Sequence, residues 1–350
     1  MNSKERVLNA LNHKTTDRVP IALVHGYWMP DVEQLLKERY YLRGGDTLDA
    51  IFNFDTHGVE PFYRGPVFDL DQNGHYQGIF GTPENSHTFS QEFYRPLADV
   101  TSIAEIEAYP WPKMEYFDFS TVKYFADLYK NSAIISPRRW SPIFCQIADF
   151  MGFESAMMCL YTNPKIIEAL VEKIADWNCK MWTQVLDAAP RQIDICYVGD
   201  DLAGQEEMMI DPRMWRKFFK NPFARLFNVA KSRNVRVMFH ICGNATAIIP
   251  DLIDIGMDIL MPVQVAAKGM DPVILKREYG ADISFFGGMD TQHVLPNSTP
   301  EQVRAEVRRL IDIFGKNGGY IFSSSHNLNN DIPIENIIAM YEEAAVYYPF

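Results

Sequence analysis

The chain has 350 residues, 47% hydrophobic and 22% charged, with 45 acidic residues against 33 basic ones and a formal charge of −12. These values describe a folded globular protein and exclude global disorder, and the acidic balance argues against nucleic acid or an anionic membrane as the main partner. No apolar run approaches the roughly 20 residues of a membrane span, and the opening MNSKERVLNALNHK lacks a secretory core, so a cytoplasmic protein is expected. Five scattered cysteines, Cys145, Cys159, Cys179, Cys196 and Cys242, fit a reducing compartment in which thiols serve packing or metals.

Taken in order, Ser3 to Leu11 reads as a short amphipathic helix with Ser3 as N-cap, although Arg6 stands where a capping box wants Glu or Gln. A strand, VPIALVHG, follows and ends at His25-Gly26. Leu35 to Tyr41 reads as helix, and a second run, IFNFDTHGVEP, ends near His57. Residues 62 to 95 interrupt the pattern with alternating aromatics around Asn73-Gly74, the signature of a β-hairpin excursion.

From Ser132 the rhythm is regular. SAIIS is strand-like, Pro142 to Ala188 reads as two helices broken near Asn163-Pro164, and IDICYVG is the next apolar strand. Helix from Pro212 to Ser232 leads to VRVMFH, then helix near Ala247 to Ile255, strand Ile259 to Val263, helix Asp271 to Tyr279 and strand Ile283 to Phe286. A helix from Pro300 to Lys316, closed by Gly318-Gly319, precedes the strand YIFSSS and a last helix from Pro333 to Tyr347. Eight strand candidates alternating with helices predict a closed (β/α)8 TIM barrel spanning residues 1–350, with the hairpin inserted near the N-terminus. No G-x-G-x-x-G follows any strand, which disfavours a dinucleotide fold.

In such a barrel the working residues gather where strands end. The polar residues that close apolar runs here are His25, Tyr27, His57, Glu60, Arg138, Asp200, Asp201, His240, Cys242, Gln264, Asp290 and His326. The stretch VRVMFHICGN carries the sharpest signal. His240 and Cys242 at i and i+2 share one strand face, and imidazole nitrogen with thiolate sulfur is half of a tetrahedral zinc site. His326 closes YIFSSS in the same way, so His240, Cys242 and His326 form a candidate three-ligand metal site of the catalytic kind. A substrate hydrogen-bond donor or a helix partner is the competing reading of His326.

Four blocks in order carry a family resemblance: ERVLNALNHKTTDRVPI, VGDDLAGQEEMMIDPRMWRKFFKNP, the H-x-C followed by Gly-Asn, and HNLNNDIPIENI. They resemble the uroporphyrinogen decarboxylase superfamily, and the H-x-C resembles its cobalamin-dependent methyltransferase branch, which includes methylcobamide:coenzyme M methyltransferases and the methyltransferases of demethylation systems. The resemblance implies a (β/α)8 fold, a zinc ion, and a cobalamin (corrinoid) carried by a partner protein. In that branch the third ligand is usually Cys; here the matching place holds His326, with Ser325 or no protein group as alternatives. The decarboxylases resemble RQAGRYLPEY after their first strand, whereas this chain reads LVHGYWMPDV, with Leu23 and Tyr27 where two carboxylate-binding arginines would stand. Asp55 is the candidate counterpart of the decarboxylase aspartate. Asp55-Thr56-His57-Gly58 is similar to a cobalt-ligating D-x-H-x-x-G loop, but Glu60 occupies the last Gly position, so the corrinoid is expected on a separate corrinoid protein.

The reading that follows is a zinc-dependent methyltransferase moving a methyl group between a small molecule, either a methyl ether such as a methoxy-aromatic or a thiol, and that corrinoid. Asp200, Asp201 and Glu60 are its candidate catalytic residues, for proton supply, a fourth metal position or orientation of His240. The aspartate pair also fits a solvated strand-to-helix turn. His25, Tyr27, His57, Arg138 and Gln264 are candidate substrate contacts. A decarboxylase and a non-catalytic partner of a corrinoid protein are the alternatives.

Overall fold

A computed structural model describes residues 1–42, 47–67, 78–82, 94–137 and 142–350. Nine strands follow in chain order among them: β1 Thr56–Gly58, β2 Phe62–Tyr63, β3 Phe117–Asp118, β4 Ala133–Ile135, β5 Ile195–Gly199, β6 Arg236–His240, β7 Ile259–Val263, β8 Ser284–Met289 and β9 Tyr320–Ser324. Seven of them form one parallel sheet in the order β1-β4-β5-β6-β7-β8-β9. Helices connect most neighbours, as parallel pairing requires. The sheet curls into a barrel whose eighth stave is the segment at residues 20–22. Ile21 bridges Phe322 in parallel, Ala22 N–H donates to the Phe322 carbonyl at 3.0 Å, and Asp55 N–H donates to the Ile21 carbonyl at 2.8 Å. The expected α/β (β/α)8 class is therefore observed.

Strand alternation separates two apolar cores. Tyr197, Met238, Met261, Phe286 and Ile321 point inward to the barrel axis, while Cys196, Val237, Phe239, Leu260 and Phe285 point outward against the helices. The helix Ser3–Leu11 plugs the amino end of the barrel with Val7 and Leu11, which join the inner cluster. Its N-cap is Asn2 rather than Ser3. Asn2 Oδ1 accepts from Glu5 N–H, and Glu5 answers by accepting Asn2 N–H, so the capping box is complete one residue earlier than the sequence reading placed it.

Several boundaries differ from expectation for physical reasons. The run VPIALVHG forms one bridge and then a 3-10 turn, Val24–Gly26, because Pro20 has no N–H and Ile21 N–H goes to the Asp55 carboxylate at 2.8 Å. Residues 142–188 form three helices, Phe144–Met151, Phe153–Thr162 and Pro164–Ala188, since Gly152 at φ 89° adds a break that the periodicity hid. Helix 212–232 bends at Phe219 into Pro212–Phe218 and Lys220–Lys231. The helix expected at 35–41 runs Pro30–Arg39. Most of the expected hairpin, with its Asn73-Gly74 turn, lies outside the described residues; at its near end Phe62–Tyr63 pairs antiparallel with Phe117–Asp118.

Candidate metal centre

β6 delivers the site. Met238 and His240 share the inward face, and the same alternation carried two residues further brings Cys242 alongside. His240 is buried, and its Nε2 lies 3.3 Å from the Cys242 Sγ. Asp201, just past β5, places Oδ1 3.7 Å from the same nitrogen. The three donor atoms lie within 4.8 Å of one another, and no other group of three His, Cys, Asp or Glu ligand atoms gathers this way among the described residues. Asp201 Oδ1 is buried and accepts no hydrogen bond.

Charge follows from this geometry. Burial opposes protonation of His240, but the neighbouring Cys242 and Asp201 side chains outweigh it and push the imidazole up to about 10. Burial works against the Asp201 carboxylate, yet the His240 imidazole 3.7 Å away holds it below the usual carboxylate range. One imidazole nitrogen therefore faces a sulfur and a carboxylate oxygen, a donor set suited to a cation. Zinc bonds of about 2.0–2.1 Å to nitrogen and 2.3 Å to sulfur make the N···S edge of a tetrahedron about 3.5 Å and the N···O edge about 3.4 Å. The observed 3.3 and 3.7 Å fit that donor set.

His326 stands beside this trio rather than inside it. Its ring lies 5.3 Å from that of His25, edge to face, and His25 in turn lies 5.1 Å from His240. The alternation of β9 explains the offset. Ile321 points inward, so 323 and 325 share that face and His326 falls off register. Burial and the neighbouring His240 charge lower the His326 pKa, which keeps its imidazole neutral. His25 sits in the 3-10 turn at φ 56° and ψ −3°, a left-handed conformation uncommon for a residue with a side chain. Tyr27 stacks on it at 6.1 Å and its hydroxyl accepts from Asn327 Nδ2 at 3.4 Å.

The remaining sequence candidates divide. Asp200 points away from Asp201, outward, where its carboxylate accepts the N–H groups of Ile143, Phe144 and Cys145 at 3.0, 2.6 and 2.9 Å. It caps the helix Phe144–Met151, and burial pushes its carboxyl up to about 6 despite those donors. Its catalytic assignment is corrected to a capping one. Gln264 is a latch rather than a substrate contact: Oε1 accepts Gly243 N–H at 2.8 Å and Nε2 donates to Gln205 Oε1 at 3.2 Å. Gly243, at φ 79°, completes that latch, because a Cβ there would collide with the carbonyl oxygens of Ala203 and Gly204. His57 points out of the barrel, since Thr56 and Gly58 take the inward positions; it stacks on Tyr129 at 4.2 Å and approaches Asp49 at 3.8 Å. Glu60 is half-buried and outside the ligand group, its carbonyl accepting the Thr121 hydroxyl. Asp290 caps the turn after β8 by accepting Gln292 N–H at 2.7 Å. Arg138 lies outside the described residues.

Beside the trio the barrel axis holds a small cavity of about 30 Å³, lined in part by His25, Met238, Met261 and Phe286. Tyr197 lines it and meets His240 edge-on at 6.4 Å. Sequence reading missed Tyr197 because it sits inside a strand rather than at its end. Its place two residues before Gly199 and four before Asp201, on one alternating face, is the signal that would have found it.

Asp55, the candidate decarboxylase aspartate, lies at the opposite end. It precedes β1, is fully buried, and accepts Arg6 at 2.6 Å, Arg18 at 2.7 Å and Ile21 N–H at 2.8 Å. Its oxygens are occupied far from the strand ends that carry His240 and Asp201.

Comparison with known proteins gives the family. The sequence model of the family described as uroporphyrinogen decarboxylase (URO-D) matches residues 143–347. Similar curated proteins include a uroporphyrinogen decarboxylase of Mannheimia succiniciproducens, 21% identical over 95% of this chain and 94% of the relative. Another is a uroporphyrinogen decarboxylase of Geotalea daltonii, 22% identical over 96% of this chain and 97% of the relative. Among solved structures, a methyltransferase from Methanosarcina mazei superposes with a TM-score of 0.70 at 16% identity, covering 99% of this chain and 98% of that one, which is a likeness of fold.

Proposed function

We propose that this chain, which belongs to the uroporphyrinogen decarboxylase family, is a zinc-dependent methyltransferase that moves a methyl group between a small substrate and the corrinoid of a partner protein. The observation that carries this reading is the meeting of His240 Nε2, Cys242 Sγ and Asp201 Oδ1 at the carboxyl ends of β5 and β6, at spacings suited to a tetrahedral cation. Those three residues would hold the zinc, and Asp201 takes the third place that the sequence reading gave to His326. Zinc at such ligands supplies Lewis acidity, stabilising negative charge on the oxygen or sulfur that gives up or receives the methyl group.

The protein's own groups do the rest. In the demethylating direction the bond between the methyl carbon and its oxygen or sulfur breaks, and the bonding pair stays with the heteroatom. The methyl carbon accepts an electron pair from the reduced corrinoid. In that direction the oxygen or sulfur anion takes its proton from solvent, and in the reverse direction the His326 imidazole, its pKa lowered by burial, would accept the proton of a thiol; its ring lies 5.3 Å from that of His25, which lies 5.1 Å from that of His240.

Decarboxylation is the second reading, favoured by the names of the curated relatives. Three observations weigh against it. Leu23 and Tyr27 replace the arginines, Asp55 is committed to Arg6 and Arg18, and no Lys or Arg is among the described residues lining the cavity. The test has two arms. Metal analysis is expected to find about one zinc per chain, lost in the His240→Ala, Cys242→Ser double variant. Zinc-loaded protein is expected to methylate reduced cobalamin from a methoxy or thioether donor, or to demethylate methylcobalamin with a thiol, and to release no carbon dioxide from uroporphyrinogen. Metal-free protein of undiminished activity, or carbon dioxide release, overturns the proposal.

A further inference from the structure

β5 and β6 run side by side in parallel register, with Tyr197 opposite Met238 and Gly199 opposite His240. Gly199 therefore leaves the inward face of β5 without a side chain at the level of His240, and the Tyr197 phenol leans into that space, its ring edge-on to the imidazole at 6.4 Å. Tyr197 is almost wholly buried, and its hydroxyl has no hydrogen-bond partner among the described residues. A buried tyrosine hydroxyl ordinarily finds one. Tyr197 lines the small axial cavity together with His25 and Thr56, whose hydroxyl is likewise without a partner among the described residues. The rest of the lining is apolar or glycine.

We infer that this cavity binds one water molecule, and that Tyr197 acts through it as a positioning residue, holding the His25 imidazole in place beside His240. The size fits a single water. A polar cavity of about 10–15 Å³ already holds one, and about 30 Å³ is well short of the roughly 150 Å³ that receives benzene. The chemistry fits as well: a buried water makes about three hydrogen bonds, and the Tyr197 hydroxyl, the Thr56 hydroxyl and the His25 ring are three groups able to make them. His25 needs such a hold. Its backbone lies at φ 56°, a conformation that persists only where the surroundings fix it, and its ring is packed among those of Tyr27, His240 and His326. A bond from Tyr197 through the water selects which way that ring faces and which of its nitrogens carries the proton. The water site does not rest on the methyl-transfer reading; its consequence for turnover does.

A high-resolution crystal structure of the full chain tests the site without added metal or substrate. It is expected to show one ordered water within about 3.2 Å of both the Tyr197 hydroxyl and a His25 ring nitrogen. Tyr197→Phe keeps the ring and removes the hydroxyl, so the water should be lost and the His25 resonances in nitrogen NMR of the imidazoles should shift, while zinc content stays at the wild-type level. In zinc-loaded protein that variant is expected to lose about tenfold in kcat for cobalamin methylation with little change in KM. Should Tyr197→Phe fail to fold, the wild-type structure decides alone. A cavity without water, a water bonded to Thr56 alone, His25 resonances indifferent to Tyr197→Phe, or an unchanged kcat overturns the inference. A bridging water in a protein that transfers no methyl group leaves the water site standing and removes the functional reading, whereas methyl transfer by a protein with a dry cavity does the reverse.

Discussion

Asp200 and Asp201 are chain neighbours with opposite duties, and replacing each in turn separates them. In Asp200→Ala the N–H groups of Ile143, Phe144 and Cys145 lose their acceptor inside the protein, where Asp200 is fully buried. A buried donor left unsatisfied costs about 1–3 kcal/mol, and partial entry of water lowers the total, so a loss of about 3–5 kcal/mol is expected. Asp200→Asn keeps one acceptor oxygen and should lose about 1–3 kcal/mol. Asp201→Asn takes away one of the two groups that favour the charged His240 imidazole, so metal-free stability should fall by about 1–3 kcal/mol while zinc affinity falls at least tenfold. Urea unfolding followed by tryptophan fluorescence, with zinc titration of the folded variants, reads all three. The wild type carries a pH signature too. Folding raises the Asp200 carboxyl from 3.8 to about 6, so its contribution is fully present below pH 3.8 and is lost as the pH climbs through about 6. Relative to Asp200→Asn, the wild type should lose about 3 kcal/mol across that window. Asp200→Ala within about 0.5 kcal/mol of wild type would refute the capping role.

Two further substitutions test other parts of the frame. Asp55→Asn leaves Arg6 and Arg18 without their shared buried carboxylate and should cost about 3–5 kcal/mol in urea unfolding, with the surviving folded fraction keeping its zinc; normal stability with lost activity would instead restore Asp55 to the chemistry. Gly243→Ala forces a side chain into the φ 79° turn against Ala203 and Gly204, and should cost more than about 2 kcal/mol and weaken zinc binding through displacement of Cys242; a fully stable variant with unchanged zinc affinity refutes the latch.

Sequence alone revealed the elements with strong periodicity and strong punctuation. The order of β4 to β9 follows from apolar runs separated by helices, and His240 with Cys242 follows from a strand ending in H-x-C. Distinguishing Asp200 from Asp201 needed one more step. Both close IDICYVG, but only the alternation through Tyr197 and Gly199 puts Asp201 inside and leaves Asp200 to the helix beyond. His57 was misplaced for the same reason, being flanked by inward-facing Thr56 and Gly58. His326 was beyond reach of such counting, because its position depends on a loop and on the left-handed turn that carries His25. The capping residue Asn2 was legible through Glu5 three positions on, a reciprocal pair that attention to Ser3 obscured.

The eighth stave joins the hoop through a single bridge at Ile21 reinforced by the Asp55 ion pairs. His25 arrives on that stave, four residues past the bridge, while His240 and Asp201 belong to the interior of the sheet. The imidazole row is thus completed only when the ends of the chain meet. Loosening at this seam would withdraw His25 and leave the sulfur and carboxylate behind, so readiness for chemistry and closure of the ring rise and fall together.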